Sequence, residues 1–162
     1  MRENRFLILI GLVISVAFVS CNSHNKLLKS TDNELKYNTA ISLFEKKDYN
    51  RALQLFDVLQ SAYRGKPEGE KIAYYTAECY YKMKDYEIAS HYYKRYVVNY
   101  PFANNAESAL FRSACCYYLE SPKMSLDQTE SYTAISEFQN FVDIYPNSVY
   151  VDSANQLIDT LR

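Results

Sequence analysis

The chain has 162 residues, 48% apolar and 23% charged, which suffices for one compact domain. Its 18 Lys and Arg against 19 Asp and Glu leave a formal charge of −1, which gives no electrostatic basis for binding nucleic acid. With three glycines, two histidines (His24 and His91), no HExxH and no G-x-S-x-G, the sequence offers no phosphate loop, no zinc motif and no catalytic signature, but it holds 17 tyrosines and no tryptophan.

The N-terminus reads as an address. Arg2 and Arg5 precede an apolar run from Phe6 to Phe18, whose 13 residues fall short of the roughly 20 that span a bilayer. The run ends in Val19-Ser20-Cys21 and resembles a bacterial lipoprotein signal. Residues 1–20 are therefore expected to be removed, Cys21 to carry a covalent lipid, and 21–31 to form the anchor and linker. No cofactor and no metal are expected. The segment after the cysteine, Asn22 to Lys26, has no acidic cluster, which favours a protein facing the periplasm.

From residue 33 the sequence repeats with a period of 37. Ala40, Ala77 and Ala114 are equivalent, as are Leu43, Tyr80 and Tyr117, while Asp48-Tyr49 becomes Asp85-Tyr86 and Phe56 becomes Tyr93. In the second unit, apolar residues from Ile72 to Met83 keep three- and four-residue steps, and a return helix runs from Tyr86 to Tyr100 with Pro101 as its stop. Thr31 with Glu34, and Asn104 with Glu107, are the expected helix caps. The segment from Tyr63 to Gly69 reads as the connection between the first two units. An insertion of about eight residues around Glu120 to Gln128 precedes the third return helix, for which Ser125 or Asp127 is the expected cap. That helix passes Ala134, Phe138 and Phe141 to Tyr145-Pro146.

The unit resembles the tetratricopeptide repeat, a helix–turn–helix. An all-α solenoid is predicted over 32–162, with units at about 33–66, 70–103 and 104–146 and a partial fourth leading helix in 147–162. Small alanines let paired helices approach while large rings fill the space beside them. The fourth leading helix starts near Val149 and Arg162 falls within it, so it either caps the array through Leu157, Ile158 and Leu161 or belongs to a longer protein.

A pair of aromatic residues seven apart marks every leading helix: Tyr37 and Phe44, Tyr74 and Tyr81, Phe111 and Tyr118. Seven residues is nearly two turns, which places both rings on one face about 10 Å apart. Leading helices line the concave side of such arrays, so the six rings are the candidate peptide-binding groove, with Lys71, Glu78, Lys82 and Arg112 as a charged rim. The opposing reading is that the rings only pack adjacent helices. Cys79, Cys115 and Cys116 are expected to be buried small apolar residues rather than a disulfide, and His91 to lie on a helix surface or to pack locally.

The ordered features together resemble the BamD family of the β-barrel assembly machinery. They comprise the lipid cysteine, the following Asn25-Lys26-Leu27-Leu28-Lys29-Ser30-Thr31-Asp32, the Lys84-to-Tyr93 segment and Tyr145-Pro146-Asn147-Ser148. The resemblance implies a non-catalytic lipoprotein of the outer membrane, facing the periplasm, whose partners are the barrel subunit BamA and segments of unfolded outer-membrane proteins. It implies that the repeats present are those associated with substrate recognition, while the repeats that carry much of the docking onto BamA are not among these residues. Only Cys21 transfers as a functional residue. The alternative is another periplasmic repeat adaptor that coordinates envelope or peptidoglycan enzymes.

Overall fold

A computed structural model describes residues 23–120 and 129–162. The signal segment, Cys21, the expected caps Ser125 and Asp127 and nearly all of the insertion lie outside the described residues. After a helical stretch at 23–28 come α1 (Asn33–Glu45), α2 (Tyr49–Leu59), α3 (Pro67–Met83), α4 (Tyr86–Asn99), α5 (Ala106–Glu120), α6 (Thr129–Ile144) and α7 (Val151–Leu161). No strand occurs among the described residues. Each helix packs on its neighbours in sequence, so α1/α2, α3/α4 and α5/α6 are stacked hairpins and α7 leads a fourth. The chain is an all-α solenoid of the tetratricopeptide type.

The hairpin turns repeat in atomic detail. At the end of α1 the Asp48 amide donates to the Leu43 carbonyl at 2.9 Å, and at the end of α3 the Asp85 amide donates to the Tyr80 carbonyl at 3.0 Å. In both turns a lysine takes the left-handed conformation, Lys47 at φ 63° and Lys84 at φ 68°. This six-to-one closure caps the last carbonyls of α1 and α3 and turns the chain back within two residues. Asp48 then caps α2 and pairs with Arg51, whose side-chain hydrogen bond holds the Asp48 carboxyl below its ordinary range.

Four boundaries differ from the sequence expectation. The cap of α1 is Asp32, not Thr31: its carboxylate accepts from the Leu35 amide at 2.9 Å, one residue closer to the first turn. Helix α5 begins at Ala106, so its first intrahelical acceptor is the Asn105 carbonyl (2.8 Å from the Ala109 amide) rather than a group of Asn104. Helix α3 begins at Pro67, inside the expected connection, because proline at a first helical position lacks only an amide that would have no partner there. The fourth leading helix likewise starts at Val151, two residues after the expected Val149.

The core follows the repeat. Ala40, Ala77 and Ala114 are buried in three successive clusters, and Ala52, Ala89 and Ala134 are buried opposite them on the return helices. Phe56, Tyr93 and Phe138 fill equivalent places, as do Leu59, Tyr96 and Phe141. Two buried hydroxyls are satisfied by backbone carbonyls, one within a helix and one across helices. The Thr76 hydroxyl donates to the Ile72 carbonyl within α3, and the Ser113 hydroxyl donates across to the Ser90 carbonyl of α4.

Cys79 and Cys116 are buried and Cys115 is half-buried, so the expectation of three buried residues is corrected for Cys115; all three are free thiols. Burial pushes each of them from an ordinary 9.0 up to about 12. The folded chain therefore holds thiol protons that the unfolded chain releases, and this contribution to stability is intact below pH 9 and lost as pH rises toward 12. Burial raises the phenols of Tyr74, Tyr80, Tyr81, Tyr93 and Tyr96 in the same direction. An unfolding free energy from urea titration that falls by on the order of several kcal/mol between pH 8.5 and 11 is the expected result. A flat profile would show that these groups titrate as in water.

Candidate peptide-binding groove

Leading helices α1 and α3 and the start of α5 enclose an open groove of about 510 Å³. Tyr37, Asn38 and Ile41 come from α1, Lys71, Tyr74 and Tyr75 from α3, and Asn105 precedes α5. Of the six rings singled out from the sequence, the structure brings Tyr37 and Tyr74 to this groove. All six are half-buried.

The other four face elsewhere. Phe44 packs on Tyr75 at 4.9 Å and on Tyr49 at 5.4 Å, inside the first core cluster. Tyr81 meets Tyr86 and Tyr93 edge-on, with the Arg112 guanidinium 5.4 Å above its ring. Phe111 stacks on Tyr150 at 4.9 Å and packs beside Phe138 and Phe141, and Tyr118 lies against the same third cluster. Tyr74 also reaches inward, 5.4 Å from Tyr96 and 6.3 Å from Tyr93. Tyr37 is tied only to Tyr63, at 6.0 Å, among the ring pairs of the described residues.

The rim charges divide. Lys71 and Lys82 are exposed. Glu78 is 6% exposed and accepts the Tyr93 hydroxyl proton at 2.5 Å, with Arg112 Nη1 3.3 Å away. Glu78 and Arg112 therefore neutralise each other inside the array instead of forming a rim. Burial acts to lower the Arg112 guanidinium and is the largest single influence, but the Glu78 charge together with the phenols of Tyr93, Tyr74 and Tyr81 outweighs it, and the net direction is upward. Burial raises the Tyr74 phenol, with the Glu78 charge adding to it, and burial also raises Tyr37, so both phenols in the groove remain protonated hydrogen-bond donors at neutral pH.

The groove includes Asn38 and Tyr75, which the aromatic spacing passes over. They occupy the repeat position one residue after Tyr37 and Tyr74, so inspecting that position across units would have found them. Asn105 carries no repeat signal, since it enters from the loop before α5. Among the described residues no three metal-ligating side chains cluster, and no helix is long and apolar enough to cross a membrane.

Comparison with known proteins places this architecture. The YfiO family, described as outer membrane lipoprotein, matches residues 29–162. The outer membrane protein assembly factor BamD of Caulobacter vibrioides is 24% identical over 129 residues, covering 80% of this chain and 42% of that protein. BamD of Pasteurella multocida is 22% identical over 164 residues, covering 95% of this chain and 62% of that protein. The chain thus spans roughly two fifths to three fifths of the length of these relatives. With the helical hairpins, their order and the match over most of its length in agreement, the chain belongs to the YfiO family of outer membrane lipoproteins, the BamD family.

Proposed function

We propose that the chain is a non-catalytic scaffold of outer-membrane protein assembly, held by a lipid on Cys21 at the periplasmic face of the outer membrane. Its partners are BamA and unfolded segments of β-barrel proteins. The groove between α1 and α3 receives such a segment, and that groove is the observation carrying the reading. Two phenol donors, the amide groups of Asn38 and Asn105 and the Lys71 ammonium line the groove together with the apolar surfaces of Ile41 and Tyr75. This mixture takes the backbone and the apolar side chains of an extended polypeptide, and tyrosine does so with few rotors to freeze. A lipid tether raises the local concentration of the groove beside the membrane.

The test is site-specific photo-crosslinking. Asn38 and Lys71 are exposed, so a photoreactive residue there leaves the core intact. Both positions are expected to capture an unfolded barrel protein, with His91 on the return helix as the silent control, and BamA is expected to co-purify from membranes. Equal capture at all three positions would remove the groove from the reading, and absence of BamA would remove the partner.

A further inference from the structure

A second concavity, of about 500 Å³, lies at the other side of α3, between the α2–α3 connection and α4. It shares no lining residue with the groove above. Gly65, Gly69 and Ala73 leave it open, since none has a side chain beyond a methyl group. Its walls carry two guanidiniums, Arg64 and Arg95, and no carboxylate.

Arg95 is held ready. Its guanidinium carbon lies 4.5 Å from the centre of the Tyr92 ring, and Nη2 donates to Gln60 Oε1 at 3.3 Å. Tyr92 is in turn stacked on Tyr80 at 4.9 Å, so the platform under the guanidinium is fixed. Neither Arg64 nor Arg95 has a carboxylate within ion-pair distance among the described residues, where the ion pairs are Arg51–Asp48, Lys94–Glu137, Arg112–Glu78 and Arg162–Asp159. The nearby Glu70 is engaged by the Tyr96 hydroxyl at 3.0 Å, and Asp57 feels Arg95 only through space. A planar cation with most of its five donors unused, stacked on an aromatic ring and flanked by Tyr96 and Tyr100, has the composition of an interface hot spot.

We propose that this cleft binds an acidic, aromatic-containing segment of a partner protein. A carboxylate of the segment pairs with Arg95 and Arg64, and a neighbouring side chain lies against Tyr96 and Tyr100. Charge complementarity selects the carboxylate, and the planar fork of arginine matches it in two-point contact. The tyrosine walls and the Gln60 and Asn99 amides suit a peptide better than a bare phosphate, for which no lysine lines the cleft. The surface is independent of the groove between α1 and α3, and the two readings fail separately.

The experiment is fluorescence anisotropy on the full chain in detergent micelles with a labelled peptide repeating Glu-Tyr-Leu. Binding is expected, weaker by about tenfold or more for the peptide repeating Gln-Tyr-Leu, which equals the loss of one charge-assisted hydrogen bond. Arg95→Gln is expected to reduce the Glu peptide to the level of the Gln peptide, while photo-crosslinking at Asn38 persists. If the thermal melt of Arg95→Gln falls, Arg64→Gln, on the exposed connection, serves as the second variant. Equal binding of the two peptides, no binding by the unaltered chain, or unchanged affinity in both variants would overturn the proposal. Displacement of the peptide by inorganic phosphate at matched ionic strength would also overturn it and assign the cleft to phosphate groups.

Discussion

Arg112→Met is expected to destabilise the array by about 2–3 kcal/mol, read as a shift in the urea midpoint. The reason is the position of Glu78. Its carboxylate sits on α3 with 8% of the side chain exposed, receives the Tyr93 hydroxyl of α4 and faces Arg112 of α5. Three helices from two repeats thus meet at one buried charge. Methionine keeps the apolar character of the arginine stem but removes the cation both from Glu78 and from above the Tyr81 ring, so the loss reports the unpaired carboxylate together with a smaller cation–π contribution. Removing one partner of a fully buried pair costs about 3–5 kcal/mol; Arg112 is 33% exposed, which places the expected value at or below the lower end. Adding Glu78→Gln to Arg112→Met should recover most of the loss, because the amide still accepts from Tyr93 without a charge to desolvate. A double-mutant cycle measures this directly. If Arg112→Met melts like the unaltered chain, water compensates the carboxylate and the junction between the second and third hairpins rests on apolar packing alone.

Gly69→Ala is expected to cost about 3 kcal/mol although alanine favours helices. A Cβ at residue 69 would stand 2.2 Å from the Tyr63 carbonyl oxygen and 3.1 Å from its carbon. Backbone cannot rotate away as a side chain can, so either the first turn of α3 or the connection behind it must shift. That connection is pinned by two hydrogen bonds, from the Lys66 amide to Tyr63 and from the Gly69 amide to Lys66. Gly65→Ala provides the contrast. Its φ of 77° is a left-handed conformation, but nothing lies within 4 Å of the added carbon. The expected cost there is only the conformational one, about 1 kcal/mol. Thermal melts of the two variants side by side separate steric clash from backbone preference, and similar values for both would show that the connection relaxes freely.

The sequence alone carried the architecture a long way. A 37-residue period in Ala40, Ala77 and Ala114, together with Pro101 and Asp85-Tyr86, is enough to specify stacked hairpins, because each signal is local and each copy reinforces the others. Helix starts were less legible. Thr31 and Asp32 are both good caps, and only the geometry of the first turn chooses Asp32. Gly69 reads as a chain breaker in one dimension, whereas it is a helix residue kept small by the Tyr63 carbonyl beside it.

What the sequence determined by itself is the repeat, the turn chemistry and the supply of phenol rings, since all three depend on residue type and spacing along the chain. What only the tertiary structure decided is which rings share a space. Spacing of seven residues puts Tyr37 with Phe44 and Tyr74 with Tyr81 on one helix face, yet Phe44 packs on Tyr49 of α2 and Tyr81 on Tyr86 and Tyr93 of α4, and of these rings only Tyr37 and Tyr74 line the shared groove. In the same way Glu78, an ordinary surface charge by sequence, becomes a buried junction because α4 and α5 close over it. The physical reason is that helical periodicity fixes a direction, whereas exposure depends on which neighbouring helices close over a residue, and the spacing within one helix carries no record of them.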